Sequence, residues 1–129
     1  MFKKINPNPT GARVGDCVIR AISIALGIDW DQAYIELAIQ GFVLKDMPSS
    51  NHVWGSYLQS KGFEKYVIPD TCPDCYTVKD FCNDAPFGTY VLGTGTHAIC
   101  VIVDESGGNY FDLWDSGDET PVLCFRKEW

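Results

Sequence analysis

The chain has 129 residues, of which 46% are hydrophobic and 21% charged, the balance of one globular domain. Its 17 acidic and 10 basic side chains give a formal net charge of −7, which excludes a general nucleic-acid binder because such proteins need a basic face. No window approaches the ~18 consecutive apolar residues of a membrane span. No targeting segment follows Met1, so the sequence predicts a cytoplasmic protein that contacts neither nucleic acid nor membrane.

The first half of the chain has the periodicity of helices. Residues 6–15 hold two prolines and two glycines and are expected to form a loop. Apolar residues then recur at helical spacing after Asp16, an expected N-cap that puts Cys17 in the first turn, and Gly27 ends this run. Two further helices are predicted over about 29–40, where Gly41 is the stop, and over about 50–61.

The second half has the pattern of strands. A short strand is predicted over 64–68 and a short helix over 77–84. Four runs rich in Val, Ile, Tyr and Phe follow, at 88–92, 97–104, 109–115 and 121–126, and they are separated by turns. The predicted fold class is therefore α+β over the single domain 1–129, with N-terminal helices packed on a C-terminal antiparallel meander.

Cys17 and His97 have the positions that a nucleophilic thiol and its base require. A helix N-terminus carries about half a positive charge and unpaired amides, which favour the thiolate and can stabilise an oxyanion. His97 opens a predicted strand beside a glycine-containing loop, whereas His52, the other histidine, falls in the first turn of a helix where polar surface is expected. His97 is therefore the predicted base.

A third residue that orients the imidazole is expected on the strand paired with that of His97. If the hairpin turn is centred near Gly107, the position opposite His97 falls near residues 115–117. Asp115 fits this register and shares strand parity with Phe111, while alternation places Asp112, the alternative, on the other face. The predicted catalytic set is therefore Cys17, His97 and Asp115.

These segments resemble the papain-like cysteine peptidases in kind and order. Asp16-Cys17-Val18-Ile19-Arg20-Ala21 resembles the start of small members such as the bacteriocin-processing peptidases, and His97-Ala98-Ile99-Cys100-Val101 is similar to their histidine strand. The segment 109–116 is similar to the strand that ends in Asn-Ser-Trp in papain, with Asp115 at the Asn position. The resemblance implies a papain-like domain of the kind encoded by bacterial and phage genomes, and a thiol protease that needs no cofactor and no metal.

The function implied by the resemblance is a cysteine hydrolase: a peptidase, isopeptidase or amidase acting on a peptide or protein. Papain-type enzymes have a Gln six residues before the nucleophile, where this chain has Gly11, and Asn8 is the nearby candidate for completing the oxyanion hole. The bacteriocin-processing members have Gly after the nucleophile, where this chain has Val18. The alternative is a papain-like module that binds a peptide or protein partner without efficient catalysis. The oligomeric state is left open.

The remaining cysteines favour a structural interpretation. Cys72 and Cys75 have the Cys-x-x-Cys spacing of half a zinc site, for which Cys82 would be a third ligand and His52 or Asp74 a fourth. No second Cys-x-x-Cys exists, and a reducing compartment favours free thiols. A zinc site and a redox pair remain alternatives, and the preferred prediction is a tight turn with reduced thiols.

Overall fold

The structure is a computed structural model that describes residues 1–128, which form four helices and six strands. The helices are α1 (Cys17–Leu26), α2 (Trp30–Leu44), α3 (Asn51–Ser60) and α4 (Val78–Asp84). The strands are β1 (Phe2–Lys4), β2 (Glu64–Val67), β3 (Gly88–Gly93), β4 (Ala98–Asp104), β5 (Gly107–Asp112) and β6 (Leu123–Lys127). The domain therefore mixes α and β structure, as its sequence predicts.

The six strands form one mixed sheet in the order β1-β5-β4-β3-β6-β2. β3, β4 and β5 form the predicted antiparallel meander, but β6 crosses back to pair with β3 on the other side. The prediction of a single four-strand meander is wrong at that point. β1, which the sequence pattern did not reveal, adds a parallel strand beside β5, and Lys4 pairs with Asp112.

Helices cover both faces of the sheet. α1, α2 and α3 enclose one core, in which Ile22, Leu37 and Leu58 are fully buried against the sheet. α4 covers the opposite face, where Val78 and Phe81 pack with Tyr90. The sheet is thus buried on both sides, and α1 crosses the face that includes Cys100.

Helix α1 begins at Cys17 as predicted and ends at Gly27, whose φ of 66° is left-handed. Helix α2 does not stop at Gly41: it runs on to Leu44 and is closed by Lys45 in a left-handed conformation. Gly41 serves packing instead, because a Cβ there would come within 2.7 Å of the Asp46 carbonyl oxygen. The predicted stop was wrong since glycine only weakly disfavours a helix, and close packing can compensate.

The β4–β5 hairpin is tighter than the sequence suggests. Asp104 pairs with Gly107, so only Glu105 and Ser106 form the turn. Cys100 pairs with Phe111, and β5 ends at Asp112. The turn is therefore centred between residues 105 and 106 and not near Gly107, which changes the residue that faces His97.

None of the helices formed by residues 1–128 has the length and apolar character required to cross a membrane.

Candidate active site

Cys17 is the first residue of α1 and is partly exposed. Its sulfur hydrogen-bonds with His97 and with the backbone of Ala98, at the start of β4. Partial burial by itself raises the pKa of the thiol, but these two hydrogen bonds and the positive charges of His97 and Arg20 lower it below the ordinary 9.0. The helix N-terminus favours the thiolate as well. Cys17 therefore has the environment of a nucleophile.

His97 lies directly before β4 and joins the thiol to a carboxylate. Its Nε2 is 2.6 Å from Oδ2 of Asp112, which leaves Nδ1 for the Cys17 sulfur. Its side chain is 8% exposed, and the ring of Trp114 stacks on it with centroids 4.6 Å apart. Burial lowers the pKa of His97, but hydrogen bonds to Asp112 and Cys17 and the charges of both raise it to about 9.

Asp112 is the last residue of β5, and four groups bind its buried carboxylate. Oδ2 accepts hydrogen bonds from His97 and from the Ser116 hydroxyl at 2.6 Å, while Oδ1 accepts from the Leu113 amide at 2.8 Å and from Arg20 at 3.3 Å. Burial raises the pKa of Asp112, but the bonds from His97 and Ser116 and the charge of His97 hold it below its usual value. This carboxylate is therefore fixed in place and ionised.

The prediction that Asp115 orients His97 is wrong. Asp115 is exposed and accepts hydrogen bonds from the Tyr110 hydroxyl and the Gly117 amide. The error has a physical cause: the two-residue turn shifts the register of the hairpin, and β5 ends at Asp112, so strand alternation does not extend to Asp115. Asp112, the alternative that parity disfavoured, is the residue that contacts the imidazole.

Arg20 connects α1, the helix that begins at Cys17, to this carboxylate. Its guanidinium is buried between Asp16, one turn before it on α1, and Asp112 on β5. Asp16 is the N-cap residue of α1, as predicted, but its side chain makes no capping bond, because one oxygen pairs with Arg20 and the other accepts from the Trp30 indole at 2.9 Å. The guanidinium therefore joins the carboxylate before Cys17 to one in the second half of the chain.

Two cavities flank Cys17. One, of about 180 Å³, is lined mainly by apolar groups of α1, α2 and the following loop: Gly15, Asp16, Cys17, Val18, Ile19, Leu37, Pro48 and Ser49. The other, of about 240 Å³, lies on the side of His97 and includes Asn51, Trp54, Gly95 and Thr96. Val18 and Ser49 line both, so the sulfur lies where two adjoining hollows meet.

Asn8 lies on the loop that joins β1 to α1, and this loop leaves the sheet at the site, where the Ile5 amide donates to the Asp112 carbonyl. Asn8 is buried, and its Oδ1 accepts hydrogen bonds from the amide and hydroxyl of Thr10 at 3.0 and 2.9 Å. Its side-chain carbonyl is therefore occupied within the loop. The role of its NH₂ group at an oxyanion remains a prediction.

Two features of the site escaped the sequence reasoning. Ser116 donates to Asp112 from a segment beyond the end of β5, and Trp114 stacks on His97. Both aspartates belong to the run Asp112-Leu113-Trp114-Asp115-Ser116, and the wrong register assigned the contact with His97 to Asp115 instead of Asp112.

Cys72 and Cys75 form a disulfide on an exposed loop, so the prediction that they are free thiols is wrong. The Cys-x-x-Cys loop folds back and brings the two Cα atoms to 4.1 Å from each other, so the two sulfurs can bond. Cys82 is free and buried on α4, apart from the pair. Within residues 1–128, no group of three or more His, Cys, Asp or Glu side chains is arranged to hold a metal ion.

Comparison with known proteins yields no family model, curated protein or solved structure that matches this chain.

Proposed function

We propose that this chain is a cysteine hydrolase with a papain-like arrangement of its domain, acting on an amide bond of a peptide or protein. The observation that carries the proposal is the continuous hydrogen-bonded series from Cys17 through His97 to Asp112. Each member has the protonation tendency that its role requires: a thiol pKa below 9.0, an imidazole pKa of about 9 and an ionised carboxylate. Perturbed groups joined in this way in a cleft are typical of catalytic sites.

The reaction follows from these positions. The Cys17 thiolate attacks the substrate carbonyl carbon, and a bond from sulfur to carbon forms while the carbonyl electrons move to oxygen. The His97 imidazolium donates its proton to the leaving amine as the carbon–nitrogen bond breaks, which leaves a thioester. Neutral His97 then takes a proton from water, whose oxygen attacks the thioester and releases the carboxylic acid and Cys17. Asp112 holds the ring in position and stabilises its positive charge during each cycle.

The developing oxyanion has donors available at the start of α1. The first amides of a helix lack partners within the helix, and Cys17 occupies that first turn. The buried Asn8 amide is the proposed second donor, because its loop runs from the Asp112 end of the sheet to Cys17. Removal of one such donor ordinarily lowers kcat by about 10²–10³-fold, so we expect Asn8→Ala to lose turnover while Cys17 remains alkylatable.

A generic acyl ester tests the proposal without knowledge of the natural substrate. With p-nitrophenyl acetate, we expect a burst of one equivalent of p-nitrophenolate and an acetyl group on Cys17 by mass spectrometry, followed by slower turnover. Cys17→Ala should abolish both phases. Cys82→Ala is the matched control, since Cys82 is free but buried, and it should keep both phases.

Three outcomes would contradict the proposal. A burst that persists in Cys17→Ala would place the reactivity elsewhere, and an unreactive Cys17 in folded protein would exclude a nucleophile. Acetylation of Cys17 without any subsequent turnover, on p-nitrophenyl acetate and on a mixture of unfolded proteins, would favour the alternative of a peptide-binding module that keeps the triad geometry.

A further inference from the structure

Helix α2 is apolar on the face turned away from the core. The residues that face the core are Ala33, Leu37 and Gly41. On the opposite side, successive large apolar side chains are four, three and one residues apart, so they form one stripe along the helix. They are Ile35, Ile39, Phe42 and Val43. We call this the outer stripe. A helix that is apolar on both faces belongs in a buried position, and in this chain one face is exposed.

The outer stripe is part of a concentrated patch. Fifteen large hydrophobic side chains in residues 1–128 are exposed, and six of them lie on or next to the outward side of α2: the outer stripe together with Tyr34 and Met47. Phe42 alone is 73% exposed. These six expose roughly 700 Å² between them, close to the ~800 Å² that each partner contributes to a standard protein–protein interface. Single exposed apolar residues need no explanation, but a contiguous patch of this size does.

We propose that the outer stripe is the interface of a homodimer, in which α2 of one copy packs antiparallel against α2 of a second copy. A twofold axis through Ile39 would bring the two Ile39 side chains together and would place Ile35 against Val43 of the other copy on both sides. Such an interface is self-complementary, because one patch serves both partners. Side chains spaced by three and four residues form the ridges that pack into the grooves of a neighbouring helix, and the stripe has this spacing.

The charges of α2 favour this occupant. The stripe itself contains no ionisable residue, so no like charges meet on the axis, although Asp29, Glu36 and Asp46 flank it. Asp31 lies in the first turn and Lys45 follows the last, and both are exposed. The antiparallel arrangement places these opposite charges within about one helical turn of each other across the interface, at both ends, and opposes the two helix dipoles favourably.

Sedimentation velocity over a range of protein concentrations tests the proposal. We expect the wild-type protein to convert from monomer to dimer as its concentration rises. Ile39→Glu should remain a monomer throughout, because it places two like charges against each other on the axis. Phe87→Glu is the matched control, since Phe87 and Ile39 are both 57% exposed and Phe87 lies outside the patch, and it should dimerise like wild type.

A cross-link locates the axis directly. In a Cys17→Ser background, which removes the partly exposed thiol, Ile39→Cys should form a covalent dimer on mild oxidation, whereas Phe87→Cys should not. The proposal is overturned if the wild-type protein stays monomeric at every concentration. It is equally overturned if Ile39→Glu, shown to be folded by circular dichroism, still dimerises, because the contact would then lie on another face.

Discussion

Replacing Asp112 by Asn tests which aspartate governs the reactivity of Cys17. The variant removes the negative charge 2.6 Å from the imidazole but retains the shape of the side chain. Arg20 keeps its second partner, Asp16, so the buried guanidinium is not left alone and the fold should persist. Asp115→Asn is the matched control, since Asp115 is exposed and contacts Tyr110 and Gly117 instead of His97.

The size of the effect follows from the charges. An opposite charge within hydrogen-bonding distance shifts an imidazole pKa by ~1–3 units, and Asp112 is the first contributor that raises the pKa of His97 to about 9. Without it the imidazolium loses its proton nearer neutral pH, and the thiolate of Cys17 loses the adjacent positive charge. The midpoint of thiol ionisation should therefore rise by ~1 unit or more, which lowers the alkylation rate below that midpoint about tenfold.

The assay is the rate of iodoacetamide alkylation of Cys17, followed by mass spectrometry from about pH 5 to about pH 9, where the thiolate fraction changes. Wild type and Asp115→Asn should share one profile, and Asp112→Asn should be displaced to higher pH. Thermal unfolding of each variant confirms that it is folded. The assignment of Asp112 as the partner of His97 would be refuted if Asp115→Asn displaced the pH profile of alkylation and Asp112→Asn did not. An unchanged profile in both variants would show that neither carboxylate acts on this histidine.

The other predictions address neighbouring groups. Arg20→Met should leave the buried Asp16 carboxylate without an ionic partner and remove one of the four donors to Asp112, which should destabilise the protein by ~3–5 kcal/mol in chemical denaturation, while Arg20→Lys should recover part of this loss. Trp114→Ala should uncover the His97 ring and remove part of the burial that lowers its pKa, so the pKa should rise above its wild-type value of about 9; NMR titration of the imidazole checks this. Cys17→Ala should make stability fall as pH rises above 6.5, compared with wild type, in urea titrations at several pH values.

Local signals were enough to locate Cys17 and His97. The onset of helical periodicity after Gly15-Asp16 indicated the first turn of α1, and the β-rich run after Gly95 indicated the start of β4. Each inference needed only residues within a few positions, because helix and strand starts depend on local composition. The structure brings these two side chains into hydrogen-bonding contact although 80 residues separate them in the chain.

The third member depended on information that local patterns lack. The choice between Asp112 and Asp115 required the length of one hairpin turn, and the predicted turn centre near Gly107 lies one to two residues too far along the chain. Gly107 and Gly108 belong to β5, where a Cβ at 108 would collide with the Cys82 carbonyl on α4. Gly108 therefore serves tertiary packing, which a sequence pattern does not distinguish from turn formation, whereas Gly107 supplies the positive φ with which β5 begins. The contact between Arg20 and Asp112 depends on the same register, because the register determines where the end of β5 lies.

The stability of the fold depends on pH wherever the folded and unfolded states bind different numbers of protons at Cys17 and His97. The raised pKa of His97 stabilises the fold fully below pH 6.5, and this contribution is lost as pH rises to about 9. The lowered pKa of Cys17 acts oppositely: its contribution is present above pH 9.0 and is lost as pH falls through the folded-state value. Above the folded-state pKa of Cys17, and between pH 6.5 and about 9, the folded pair holds its one proton on His97 and the unfolded chain holds one on Cys17, so the pair adds no slope there.

Cys17→Ala removes one side of that balance. The folded variant still binds a proton at His97 through Asp112, while its unfolded chain has none left to bind at this pair above pH 6.5. Its free energy of unfolding should then fall, relative to wild type, by up to ~1.4 kcal/mol per pH unit until pH reaches the pKa of His97 in the variant. A constant difference between the two proteins across this range would mean that Cys17 and His97 carry no opposite charges in the folded state, and the thiolate–imidazolium pair would have to be abandoned.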